Sequence, residues 1–132
     1  GWGEIATSWR FEAIRNGQPV AQQVREPVQR IRLEVRADTQ VLTERNTWDM
    51  ATVRIRAVDQ NGCLAPFASR AVTLTVEGDA ELIGPSALPL EGGMTGTYLR
   101  TLGRAGQATL TLQAAGMEPV TLNFTIQKEG GL

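Results

Sequence analysis

A chain of 132 residues holds one domain, or one domain and part of another. Its hydrophobic content of 42% and charged content of 20% suit a folded globular domain, and a net charge of -1 supplies no bulk attraction to nucleic acid or anionic membrane. With no histidine and one cysteine, Cys63, the sequence excludes Ser-His and Cys-His nucleophile systems, His-based or multi-Cys zinc sites and an intrachain disulfide.

No stretch reaches the apolar length that crosses a bilayer as a helix, so neither membrane nor nucleic acid is expected as a partner. The chain opens Gly1-Trp2-Gly3 rather than with Met, and is read as a piece of a longer protein whose targeting signal lies elsewhere.

The first segment, Glu4 to Glu26, reads as a hairpin. Ile5, Thr7, Trp9, Phe11 and Ala13 share one side of an extended strand. Asn16-Gly17 signals a reversal because both residues tolerate positive φ, and Val20 to Val24 returns. Pro27, which has no N–H to donate, ends the ladder. Two strands alone are marginal in water, so residues 1–27 are expected to pack on a neighbour or to end a preceding sandwich domain.

From Val28 onward the sequence alternates at a period of two. Ile31, Leu33 and Val35 face one way, and Arg30, Arg32, Glu34 and Arg36 the other. Further strands are expected at Val41–Thr43, Met50–Asp59, Arg70–Glu77, Ala80–Ile83, Gly96–Thr101, Gln107–Ala114 and Pro119–Gln127. The turn Asp59-Gln60-Asn61-Gly62 ends the Met50–Asp59 strand, Pro85 to Gly93 reads as a loop, and Gly103 to Gly106 as a tight turn. About seven to eight short strands without a helical period make an all-β antiparallel sandwich spanning residues 28–127, with residues 128–132 a flexible tail.

Candidate sites are few. Glycosidase chemistry needs two carboxylates across a sugar-sized cleft, but Asp59, Asp79 and Glu81 flank strand ends, where bonds to backbone or water are the favoured reading. Asp59 and Asn61 carry oxygen ligands in one turn, yet lack the further carboxylates of a calcium loop. Arg30, Arg32, Arg36, Arg54 and Arg56 form a basic face that suits an anionic glycan or phosphate; a cross-strand ladder with Glu34, Glu44 and other acids is favoured over it. Cys63 is expected to be a small packed residue. Trp2, Trp9, Trp48 and Tyr98 are the rings able to stack on a sugar and also hydrogen-bond. Packing in the core or at a domain interface is favoured for Trp48 and Trp9.

The stretch from Ile31 to Ile126 resembles the C-terminal immunoglobulin-like domain of bacterial glycoside hydrolase family 2 enzymes of the β-galactosidase type. Asp49, then Val53-x-Ile55-x-x-x-Asp59-x-x-Gly62, match its first hairpin, and Leu64-Ala65-Pro66-Phe67-Ala68 its proline-containing crossover. Val76-x-Gly78-x-x-x-Leu82-x-Gly84 matches a later strand of the family, and Arg100-Thr101, Gly106, Ala108 and Leu110 match its closing segment. Gly3-Glu4-Ile5-Ala6 and Asn16-Gly17-Gln18-Pro19-Val20-Ala21 resemble the last strand pair of the preceding β-sandwich. Pro85-Ser86-Ala87-Leu88-Pro89-Leu90 stands where many relatives carry an Asn-Gly-Asp-Pro loop.

The resemblance implies a non-catalytic accessory domain that supports a catalytic barrel or an oligomer interface, with two catalytic glutamates outside this chain. Its partners would be other domains of the parent chain and, through Trp48 and Tyr98, carbohydrate. No catalytic, cofactor-binding or metal-binding residue is expected here. The parent would be soluble, in the bacterial cytoplasm or secreted. The alternatives are an adhesin- or invasin-type spacer repeat and a carbohydrate-binding module.

Overall fold

The computed structural model describes residues 30–129 in full, and the backbone pairing of four two-residue strands before them. The chain divides into two units, Gly1–Arg30 and Ile31–Leu132. In the first, β1 (Thr7–Ser8) pairs antiparallel with β4 (Val24–Arg25), and β2 (Ile14–Arg15) with β3 (Gln18–Pro19). The register sets Thr7 opposite Arg25 and Arg15 opposite Gln18. Trp2, Ile5, Trp9, Phe11, Ala13 and the Asn16-Gly17 turn lie outside the described residues.

The second unit is built of β5 (Arg32–Ala37), β6 (Val41–Glu44), β7 (Met50–Val58), β8 (Ala71–Gly78), β9 (Ala80–Ile83), β10 (Ala87–Pro89), β11 (Met94–Thr101), β12 (Gly106–Ala114) and β13 (Val120–Lys128). One sheet runs β5-β7-β11-β9 and the other β10-β8-β12-β13-β6. All neighbours are antiparallel except β6, which lies parallel to β13. This is an all-β sandwich with the sheet partition of an immunoglobulin-like domain.

Alternation decides what goes inside. Ala51, Val53, Ile55 and Ala57 of β7 point inward and meet Leu74, Leu110, Leu112, Phe124 and Ile126 of the opposite sheet in a single apolar core. Burying each large side chain of that set contributes about 1.5–3 kcal/mol.

Nine strands form the described sandwich, and the one beyond the sequence expectation is β10. The segment read as a loop pairs Ala87, Leu88 and Pro89 with Thr73, Val72 and Ala71 of β8. Proline is tolerated there because β10 is an edge strand, with one side free of ladder bonds. A tight reversal at Gly92 and Gly93, both at positive φ, then starts β11 at Met94, two residues earlier than expected.

The turn after β7 is tied by Asp59. Its N–H donates to the Cys63 carbonyl at 2.8 Å, its carbonyl accepts from Gly62, and its Oδ1 accepts from Asn61 and Cys63 N–H at 2.8 and 3.0 Å. The return is one bridge, Val58 to Leu64, before the chain crosses to the other sheet. Lys128 and Glu129, expected in a loose tail, are bonded instead. Lys128 ends β13 and donates to the Gly103 carbonyl, and Glu129 N–H donates to the Glu44 carbonyl at 2.8 Å.

Candidate functional site

The outer faces of the two sheets differ in chemistry. On the five-stranded sheet, Thr73, Thr75, Gln113, Thr121, Asn123 and Thr125 point outward, a solvated polar surface. On the four-stranded sheet, β7 turns out Met50, Thr52, Arg54 and Arg56, and β11 turns out Met94, Gly96, Tyr98 and Arg100. The flanking strands add Glu34 and Arg36 from β5, and Glu81 and Ile83 from β9.

Tyr98 stands 46% exposed on this face, between Thr52 and Ile83 on the neighbouring strands. Arg100, two residues further along the same face, is placed at 5.2 Å from the centroid of the Trp48 ring. A guanidinium at that distance is attracted by the ring's negative face, worth about 0.5–1 kcal/mol at an exposed site. The structure thus sets Trp48 and Tyr98 on either side of one arginine. Trp48 is not a core residue: it is 46% exposed, with Arg100 as its ring contact.

Beside Trp48 lies a shallow pocket of about 390 Å³ lined by residues 44–48, 100–103 and Lys128. Its floor is polar and tightly bonded. Glu44, only 5% exposed, accepts the Gly103 N–H on Oε2 at 2.6 Å. The Thr101 hydroxyl, the Gly103 N–H and the Lys128 ammonium together hold the Glu44 carboxyl below its ordinary value, against the opposing effect of burial. Thr101, also buried, accepts the Asp49 N–H at 2.9 Å. Asp49 in turn accepts from Thr43 N–H and Met50 N–H, each at 2.9 Å. At the rim Arg45 Nε meets Glu129 Oε1 at 2.9 Å.

The sequence expectation sets Glu44 in a surface ladder with the arginines; the structure buries it at the end of β6. The signal for burial is local. Leu42 and Glu44 are two apart, so the carboxylate follows the leucine inward. Arg100 enters the sequence reading only as a motif position, although its spacing from Tyr98 puts the two on one face.

The arginine face is partly neutralised. Glu34 accepts Arg56 Nε at 2.9 Å and sits 4.0 Å from Arg36, while Arg32 donates to the Asp59 carbonyl at 3.1 Å. Arg36 and Arg54 stand directly opposite each other in the register. No carboxylate pairs with Arg54 among the described residues. Elsewhere Asp79 meets Arg104 at 2.7 Å and accepts from Gln107 N–H, and the arginine chiefly holds its carboxyl below the ordinary value. Cys63 is exposed at the end of its turn rather than packed.

The Glu44 and Asp79 carboxyls are shifted in the direction that keeps them ionised, the opposite of what a general acid needs. Asp59 spends its Oδ1 on backbone N–H groups, which is the work of a turn residue. No group of three or more Cys, Asp or Glu among the described residues is arranged to hold a metal ion.

A two-sheet sandwich whose acids serve turns and ion pairs is an accessory module in form. Residues 33–123 match the family described as glycoside hydrolase family 2 C-terminal domain 5, and the chain belongs to that family. A β-galactosidase sequence of Rhizobium radiobacter is 32% identical over 133 residues, covering 94% of this chain and 94% of that sequence. A β-galactosidase of Rhizobium meliloti is 31% identical over 131 residues, covering 98% of this chain but 17% of that protein. A glycosyl hydrolase family 2 member from Bacteroides cellulosilyticus has a similar fold, with a TM-score of 0.70 and 16% identity, over 86% of this chain and 16% of that one. The chain therefore corresponds to a small part of the two longer proteins, as a C-terminal accessory domain does.

Proposed function

We propose that this chain serves a parent hydrolase of β-galactosidase type by bracing its catalytic domain, while two glutamates outside the chain hydrolyse a terminal β-galactoside or related glycoside. The observation that carries this reading is the match of 98% of the chain to 17% of a named β-galactosidase. Residues 1–27 would then be the closing strands of the preceding sandwich domain, and residues 28–127 the accessory domain itself. The test is the native polypeptide's size. An antibody raised to this chain should detect a band several times larger than 14.3 kDa that co-elutes with glycosidase activity. A native band near 14.3 kDa, or a larger one in which this pattern recurs without glycosidase activity, would overturn the reading in favour of a free-standing protein or a spacer repeat.

Carbohydrate contact through Trp48 and Tyr98 is a second reading. It is supported by two half-exposed rings flanking Arg100 beside a polar pocket. Trp48→Ala with Tyr98→Ala should weaken glycan affinity by about 1–3 kcal/mol per lost stacking ring if that reading holds. Unchanged affinity would dispose of it.

A further inference from the structure

We infer that the outer face of the four-stranded sheet is the surface on which another domain of the same parent polypeptide docks, presenting to it an apolar patch edged by carboxylates. The inference rests on the family reading above and names the face that does the bracing.

Of the seven large apolar side chains left exposed in the described residues, five gather on or beside one face; the others are Val41 on β6 and Phe67 on the crossover loop. Met50, Ile83, Met94 and Tyr98 all leave this one face, and Trp48 joins it through Arg100. A solvated sheet normally alternates apolar inside with polar outside. The five-stranded sheet follows that rule along β12 and β13, where threonine, asparagine and glutamine face out, and carries Val41 at its β6 edge; the four-stranded sheet departs from it across β7, β11 and β9. Aromatic residues, methionine and arginine are the types enriched in protein interfaces, whereas threonine-rich faces are not.

The backbone is also open to close approach. Gly96 lies between Met94 and Tyr98 on β11, opposite Arg54, so at that one point of β11 no side chain stands on the face.

Charge specifies the occupant. Arg54 faces Arg36 without an acid of its own among the described residues, although the chain as a whole is slightly acidic. A carboxylate from the partner placed between the two guanidiniums would relieve that repulsion. A second copy of this face would bring more arginines to it, which disfavours a symmetric dimer. The Rhizobium meliloti relative carries most of its length outside the region matched here, so a partner within one polypeptide has ample chain to supply it.

Hydroxyl-radical footprinting of the full parent polypeptide tests this directly, because the face carries its own oxidisable probes. Each residue's rate is divided by its rate in the denatured polypeptide. Met50, Met94 and Tyr98 should react several-fold more slowly than Phe67, which is exposed on the crossover loop between β7 and β8. Arg54→Glu, an exposed substitution, should restore much of their reactivity. Rates matching that of Phe67 would overturn the proposal, as would protection that grows with protein concentration, which signals a second copy. Activity of the parent is read separately. An active hydrolase with an unprotected face refutes the docking surface alone, and an inactive parent with a protected face refutes the hydrolase reading alone.

Discussion

Gly78 is the position where the chain leaves one sheet for the other, and replacing it by alanine should damage the fold more than any exposed turn change. It ends β8 opposite Ala108, and Asp79 N–H donates to the Gln107 carbonyl before β9 begins in the second sheet. Its φ is +102°, and a Cβ built there would overlap the Gln107 carbonyl oxygen and lie 3.0 Å from the Ala108 Cα. The backbone conformation costs an alanine about 1–3 kcal/mol. Displacing a carbonyl already committed to a hydrogen bond adds about 1–3 kcal/mol, as overpacking does. The sum, about 2–6 kcal/mol, is a large share of the roughly 5–15 kcal/mol that stabilises an ordinary domain. At about 4–8 °C per kcal/mol for a unit of this size, Gly78→Ala should lower Tm by at least about 8 °C. Gly62→Ala is the control, because φ there is +80° but nothing lies within 4 Å of the added carbon. It should cost about 1–2 kcal/mol. Urea denaturation of both variants decides the matter: equal midpoints would show that the backbone contact at Gly78 contributes nothing.

Thr101→Val keeps the buried shape but removes the hydroxyl that accepts the Asp49 N–H at 2.9 Å and donates to the Asp49 carbonyl at 3.3 Å, and should cost about 1–3 kcal/mol. Thr121→Val on the solvated face should stay within about 0.5 kcal/mol, and equal costs in urea would refute the buried network. Phe124→Ala should destabilise by about 3–5 kcal/mol, read from the shift of the urea midpoint. Glu44 and Asp79 are held below their ordinary values of 4.5 and 3.8, so their ionisation favours folding. That contribution is complete above those values and is lost as pH falls through the lower folded-state values. Glu44→Gln combined with Asp79→Asn should flatten the acid limb of the urea midpoint against pH, and an unchanged limb would refute the assignment.

Most strands are legible in the sequence because each strand's alternation is set by its own neighbours along the chain. Val53, Ile55 and Ala57, or Leu110 and Leu112, declare an inward face wherever they are paired. The features that escape depend on residues far along the chain. Ala87-Leu88-Pro89 looks like a loop by composition, and becomes a strand because β8 has an open edge to offer it. Trp48 in a loop gives no hint that its ring contact lies 52 residues on, at Arg100. Cys63 sits beside a turn signal that is correct, yet nothing local says whether the turn's last residue is covered. Glu44 is the exception, a misplaced residue whose spacing from Leu42 already sets it inside.

The same distribution of side chains suits the bracing role proposed above. Asp49 and Asp59 accept backbone N–H groups at strand ends, Glu44 closes the end of the sandwich, and Glu34, Asp79 and Glu81 hold arginines. Of these, Glu44 and Asp79 are held below their ordinary values by their donors, the direction that keeps a carboxylate ionised. Their work is to fix the corners of a rigid two-sheet block. Rigidity matters for a brace because an interface gains affinity when its surface is ordered before binding. A face with apolar and arginine side chains mounted on paired strands, rather than on loops, meets that requirement. The opposite sheet presents mainly threonine along β8, β12 and β13.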